Sequence, residues 1–225
     1  MKEIELFENE RADNYDDFVL TWIPQYQFVM NLLPVVLNDA NDTGNKELLV
    51  AGCGTGNEIL TFQRAGLEWS ITGVDPSPDM IRQAKKKVAN HQNIELICGL
   101  VSDLASDKLY GAATLVLVLH FFPDDGSKQS LLEDISSRLE AGASFVLMDI
   151  FRSGTEIRHN LNIFRKTLPA GLTPEEISER IERIEQHIHY IPKERLIDLL
   201  TNAGFEKPVR FHQSTIYGGW ITRKV

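Results

Sequence analysis

Two cysteines in 225 residues, 23 basic side chains against 32 acidic ones, and no unbroken apolar run near the ~20 residues of a membrane-spanning helix are this sequence's shortages. With so few cysteines, Cys53 and Cys98 suit a reducing cytoplasm; both are expected as buried thiols at strand ends rather than a disulfide or a metal site. A net charge of −9 argues against a general grip on nucleic acid, which needs clustered Lys and Arg to neutralise phosphates. The run Lys85-Lys86-Lys87 is expected to be a solvated helix end, favourable to the helix dipole. Met1-Lys2-Glu3-Ile4-Glu5 is acidic and mixed, unlike a signal peptide. His159, His187 and His189 have no metal-ligand spacing with Cys or carboxylate partners, so no metal is expected.

What is present is organised around Leu48-Leu49-Val50-Ala51-Gly52-Cys53-Gly54-Thr55-Gly56-Asn57. A short apolar run, read as a buried parallel strand, ends in three glycines at alternate positions, and an amphipathic helix from Glu58 to Ala65 follows. Glycine lets the backbone turn sharply and approach a ligand closely, and the first helix amides can face a polar or anionic group. A dinucleotide fingerprint would place its third glycine at Asn57; here it is Gly56. The next strand, Trp69 to Val74, ends in Asp75, a side chain able to hold two ribose hydroxyls.

Around this unit the chain alternates strands and helices. Residues 1–45 are read as a helical cap, with helices over Asp13–Leu20 and from Pro24 to about Asn38, the second packing Phe28, Val29, Leu32, Leu33, Val36 and Leu37 inward. Trp22 and Tyr26 between them are amphipathic aromatics able to cover a ligand. Residues 46–225 form the core: a helix from Ser77 through Met80, strands Ile94–Cys98, Ala112–Leu119 and Ser144–Phe151, and a helix Lys128–Leu139. Residues 152–191 fall outside the alternation and are read as a helical lid opened by the capping box Thr173-Pro174-Glu175-Glu176. A helix Pro192–Ala203, stopped by Gly204, precedes two adjacent strands, Val209–His212 and Ser214–Thr222.

Gly-x-Gly-x-Gly with Asp75, Leu119-His120 after the fourth strand, the Ala141-Gly142-Ala143 turn and the paired final strands resemble the class I S-adenosylmethionine-dependent methyltransferases. The resemblance implies an α/β, Rossmann-like fold with a seven-stranded, mostly parallel sheet whose last strand is antiparallel. It implies S-adenosylmethionine as methyl donor and S-adenosylhomocysteine as product. The cofactor residues would be Tyr26, Gly52, Cys53, Gly54, Gly56, Asp75, Pro76, Met80, Leu100, Val101 and Val116. Departures are Gly99-Leu100 where the family has Gly-Asp, so that Asp103 or the Leu100 and Val101 backbone would meet the adenine, and Gly111 at the usual Asp. His120 is the candidate base, at the sheet's carboxyl edge with a suitable titration range. Trp22, Asp149, Arg152 and Arg158 are the acceptor-side candidates, the arginines suiting an acidic acceptor.

Within the family the chain is similar to the carboxy-S-adenosylmethionine synthases of transfer-RNA modification, through Pro24-Gln25-Tyr26, the inserted helix and Ala203-Gly204-Phe205. It departs from them at Gly54, Thr55 and Val116, and that group's carboxylate-binding arginine falls near Arg180 or Arg183. The expectation is therefore a cytoplasmic methyltransferase of a small molecule, with a homodimer left open. The alternatives are a synthase that modifies the cofactor or a non-catalytic S-adenosylmethionine-binding module.

Overall fold

The computed structural model describes residues 7–152 and 156–225, without the side chains of Arg152 and Glu156. Three helices, α1 (Glu10–Asp13), α2 (Tyr15–Trp22) and α3 (Tyr26–Ala40), precede the first strand. The alternation then runs β1 (Glu47–Ala51), α4 (Asn57–Arg64), β2 (Ser70–Asp75), α5 (Pro78–Lys87), β3 (Ile94–Cys98), β4 (Tyr110–Val116), α6 (Ser127–Ser137) and β5 (Leu139–Arg152). Two further helices, α7 (Glu156–Thr167) and α8 (Pro174–His187), separate β5 from β6 (Ile191–Pro192), α9 (Lys193–Asn202), β7 (Val209–Ser214) and β8 (Tyr217–Arg223).

The main sheet is ordered β3-β2-β1-β4-β5-β8-β7. Strands β1 to β5 pair in parallel, β8 runs antiparallel to both β5 and β7, and the short β6 pairs with the end of β5. The first five strands are joined by crossovers that put helices on both faces, which is why β1 and β4 are apolar on both sides. Alternate residues separate cleanly: Leu48, Val50 and Ala112 face α3 and α4, whereas Leu49, Ala51, Ala113 and Leu115 face α6 and α9. The strand order reverses between β1 and β4, and at such a switch point the loops diverge and leave a crevice at the strands' carboxyl ends. The glycine turn after β1 and the Leu117–Phe122 segment after β4 both border it.

Several expectations change. Pro24 lies in a turn before α3, which starts at Tyr26 after Gln25 in a left-handed conformation (φ 66°). The inward stripe of α3 is Tyr26, Val29, Met30, Leu33, Pro34 and Leu37, so Phe28 is turned outward. Cys98 is exposed, because β3 is an edge strand with only one neighbour; Cys53 is buried. The strand expected to reach Leu119 stops at Val116, where Leu117 adopts a positive φ of 59° that no sheet ladder accommodates. Lys87 is not simply solvated: it pairs with Asp16 and donates to Thr55 Oγ1 at 2.9 Å and Asn57 Oδ1 at 2.7 Å.

Candidate functional site

The glycine turn is built by backbone geometry that side chains would obstruct. Gly52 and Cys53 both donate to the Val74 carbonyl, tying the turn to the end of β2. Gly52 has φ 70°, and a Cβ there would sit 2.4 Å from Val118 Cγ2. Gly56 has φ 84° and packs on α5, where a Cβ would meet that of Ala84 at 3.2 Å. These two glycines are required by both handedness and space.

Asp75, the last residue of β2, spans the turn and the next helix. One carboxylate oxygen accepts the Gly54 amide and the other the Ser77 amide, each at 2.9 Å. Burial pushes its carboxyl up, and the two amides pull the other way. Each oxygen keeps further lone-pair capacity toward a narrow cavity of about 90 Å³. Gly52, Pro76, Leu100 and Val101 also line this cavity, between walls that include Phe7 and Phe121. Asp103 turns back to accept the Leu100 amide at 2.8 Å. The result is an apolar slot for a flat ring with one carboxylate at its edge, suited to a vicinal diol.

A larger cavity of about 740 Å³ adjoins it, with Phe7 and Phe121 common to both. It is enclosed by α1 and α2 on one side and α8 on the other, and Tyr15, Phe18, Trp22, Leu117 and His120 line it. His120 and Asp149 are both buried, with Nδ1 2.5 Å from Asp149 Oδ1. Asp149 Oδ2 accepts the His120 amide at 3.1 Å, and Oδ1 also accepts the Ile150 amide at 2.6 Å. The contact to a carboxylate assigns the Nδ1–H tautomer and leaves Nε2 as an acceptor. Beneath them Lys128, fully buried, donates to the Leu119 carbonyl at 2.5 Å; burial lowers its ammonium to about 8. The amide of His189 donates to the His120 carbonyl at 2.9 Å, so the segment after α8 also fixes this loop.

The remaining sequence-derived candidates fall in different places. Cys53, Gly54 and Gly56 shape the turn, whereas Tyr26, Met80 and Val116 lie in the core and border neither cavity. Trp22 borders the larger cavity. Asp149 is committed to His120 and two amides, so it faces that ring rather than the open space. Arg158 is exposed on α7 and borders neither cavity, and the Arg152 side chain lies outside the described residues.

Sequence reasoning passed over the contacts that seat the N-terminal helices. Asp16 accepts from Thr55 Oγ1 at 2.6 Å and Asn57 Nδ2 at 2.8 Å besides pairing with Lys87. The Ser77 hydroxyl donates to the Phe7 carbonyl at 2.5 Å and Asp79 accepts the Asn9 amide at 2.7 Å. Tyr15 thereby sits over Gly54, its ring edge-on to Phe7. The helical spacing marked Tyr15 only as apolar. The one available signal was its closeness in sequence to a polar residue, Asp16, that has no partner on its own helix.

Residues 48–142 match the model of a family described as a methyltransferase domain. The chain is 25% identical to a carboxy-S-adenosyl-L-methionine synthase of Actinobacillus succinogenes, over 97% of this chain and 92% of that one. It is 26% identical to a demethylmenaquinone methyltransferase of Staphylococcus aureus, over 72% and 68% respectively. Among solved structures it superposes on the plantazolicin methyltransferase BpumL, in complex with a pentazolic desmethylPZN analog and S-adenosylhomocysteine, with a TM-score of 0.70. That match has 16% identity and covers 97% of this chain and 92% of the other.

Proposed function

We propose that the chain is a class I S-adenosylmethionine-dependent methyltransferase, and that it methylates a small-molecule acceptor held in the larger cavity, with His120 as base. The observation that carries the reading is the pairing of two adjoining cavities across Phe7 and Phe121, one edged by Asp75 and the other by His120.

The residues present fit S-adenosylmethionine. Asp75 would hold the ribose diol, and Pro76, Leu100 and Val101 would hold the adenine. The Cβ-free approach at Gly52, with Cys53, Gly54 and Gly56, would admit the methionine portion. Tyr26, Met80 and Val116 would support this wall from the core. When bound, the cofactor supplies an electrophilic methyl group on a sulfonium. The protein's contribution is positioning and exclusion of water, which an in-line displacement rewards most. Where the acceptor atom carries a proton, His120 Nε2 takes it, while Asp149 holds the ring and balances the charge that forms. The helices α1 and α2 act as a cap and α8 as a lid, closing over the acceptor with Trp22 in the wall. The two free cysteines support a cytoplasmic setting, and the net charge of −9 supports a small molecule over nucleic acid.

A second reading, a synthase that modifies the sulfonium itself, is supported by relatives of that name spanning 97% of the chain. One experiment separates the two. Freshly purified protein is denatured and its released small molecules are identified by mass spectrometry, then S-adenosylhomocysteine formation is followed against a panel of small hydroxyl and amine acceptors. S-adenosylmethionine or its demethylated product, with turnover on an acceptor, supports the methyltransferase. A carboxylated sulfonium supports the synthase. Failure to bind added S-adenosylmethionine overturns both.

A further inference from the structure

The larger cavity is graded from an apolar interior to a charged mouth. Val19, Ile23, Leu117 and Ile150 in its wall are buried, and Phe18, Trp22 and Phe121 add flat aromatic faces. Its glutamates, Glu10, Glu176, Glu179 and Glu182, are all exposed, as are Arg11 and Arg183. Two buried side chains with polar atoms stand in the wall, Tyr217 and His120. Tyr217 is engaged by Arg180 through a side-chain hydrogen bond, and the Arg180 guanidinium lies 5.0 Å from the Phe18 ring centroid. His120 is held through Nδ1 by Asp149, and its Nε2 has no hydrogen-bond partner among the described residues. An incoming molecule therefore meets apolar surface and, on His120, one ring atom left to accept.

We propose that the acceptor is a neutral phenol, a hydroxyl on a flat aromatic frame, and that the protein methylates its oxygen. This rests on the methyltransferase reading and names the substrate class for the same cavity. The choice follows from what each kind of acceptor needs. A neutral amine attacks with a lone pair it already has, so a buried His–Asp pair adds nothing to its attack. A carboxylate has no proton for Nε2 and brings a full charge against apolar walls, whose half-buried cation, Arg180, is already engaged. A hydroxyl donates to an acceptor atom and must also lose its proton as it attacks, a task suited to histidine's titration range. The step balances. The acceptor oxygen bonds to the methyl carbon, the carbon–sulfur bond breaks with its electron pair kept by sulfur, and the hydroxyl proton passes to Nε2 and then to water. Asp149 offsets the imidazolium formed in between. A volume of about 740 Å³ suits a drug-sized molecule, and the aromatic walls favour edge-on and offset packing of flat rings.

The probes are 1-hydroxypyrene, 1-aminopyrene and pyrene-1-carboxylate, which share one flat frame and differ in the group it carries. Each is titrated by fluorescence, at neutral pH, into the full chain saturated with S-adenosylhomocysteine. Hydroxypyrene is expected to bind on the order of tenfold more tightly than the carboxylate, which must shed its water without a free partner. With S-adenosylmethionine supplied instead, 1-methoxypyrene and S-adenosylhomocysteine are expected in equal amounts, and faster than any methylation of aminopyrene. His120→Gln lowers that rate on the order of a hundredfold and still binds S-adenosylhomocysteine, which also reports on folding. Trp22→Ala weakens hydroxypyrene and the carboxylate alike, and it tests the aromatic wall even where the His120 variant fails to fold. Tighter binding of the carboxylate, or aminopyrene methylated as fast as hydroxypyrene, overturns the proposal. So does hydroxypyrene that is not bound or not methylated, or a Trp22→Ala variant that binds it like the wild type. A wild type that does not bind S-adenosylhomocysteine, measured first and separately, overturns the methyltransferase reading and this proposal with it.

Discussion

His120 Nδ1 and Asp149 Oδ1 are 2.5 Å apart, and neither side chain is open to bulk solvent. Asp149 holds the ring through Nδ1, and in the proposed reaction Nε2 is the ring atom left to accept a proton, on a residue that lines the larger cavity. Asp149→Asn would present an amide N–H to Nδ1, move the ring proton to Nε2 and leave no base facing the acceptor. For an acceptor that loses a proton, kcat is expected to fall on the order of a hundredfold or more, and S-adenosylhomocysteine affinity to hold. Steady-state rates beside calorimetric binding test this. An unchanged kcat would remove His120 from the proton path.

Asp75 bridges two structural amides and the small cavity, so its removal and its neutralisation differ. Asp75→Ala removes every acceptor at once, and cofactor affinity is expected to drop on the order of a hundredfold, the sum of two charge-assisted hydrogen bonds to a diol. Asp75→Asn keeps one oxygen for Gly54 or Ser77 and is expected to fall between the two. Titration with S-adenosylhomocysteine orders the three proteins. An alanine variant that binds like the wild type would place the ribose elsewhere.

The succession of strands and helices, the glycine turn and Asp75 were legible because each is a local pattern: apolar runs, alternate glycines, an acid at a strand end; the antiparallel end of the sheet was implied only by the family resemblance. His120 and Asp149 were each picked out at the sheet's carboxyl edge, but their mutual contact was not, since the residues lie 29 apart in sequence and meet only when β4 and β5 pair. The end of β4 at Val116 was hidden by an apolar run that gives no sign of the positive φ at Leu117. The seating of α2 was invisible for a similar reason. Lys87 looks like any helix-end lysine until Asp16, 71 positions earlier, is brought beside it. Arg158 had the right chemistry in a plausible insertion, yet one turn of α7 faces it outward.

Asp16 and Lys87 hold Tyr15 over the glycine turn. Burial works against the Asp16 charge, but hydrogen bonds from Lys87, Thr55 and Asn57 outweigh it and hold the carboxyl below its usual range. A depressed carboxyl contributes stability that is present above the unfolded pKa and lost as acid protonates the folded one. Both partners are partly exposed, so either alanine variant is expected to cost only about 1 kcal/mol near neutral pH. The double variant should cost little more than either single one, because the first change already frees the helix. Denaturant midpoints check this, and full additivity would show that the network does not dock α2. Both single variants should also bind S-adenosylhomocysteine more weakly.

Glu58, in the first turn of α4, is buried with Oε1 lacking any partner. Burial pushes its carboxyl up to about 7, with the Thr114 hydroxyl holding it down in part. A folded pKa above the unfolded one means that the native state binds the proton more tightly. That contribution is fully present below an ordinary glutamate pKa near 4.3 and disappears as pH rises through about 7. Glu58→Gln, an isostere that stays neutral, is therefore expected to match the wild type at pH 5. At pH 8 it should exceed it by on the order of 2–3 kcal/mol. Urea unfolding across that range measures the difference. A glutamine variant no more stable at pH 8 would mean that the ionised carboxylate finds compensation, and Asn57, Tyr15 and Tyr26 nearby would then be the groups that move to supply it.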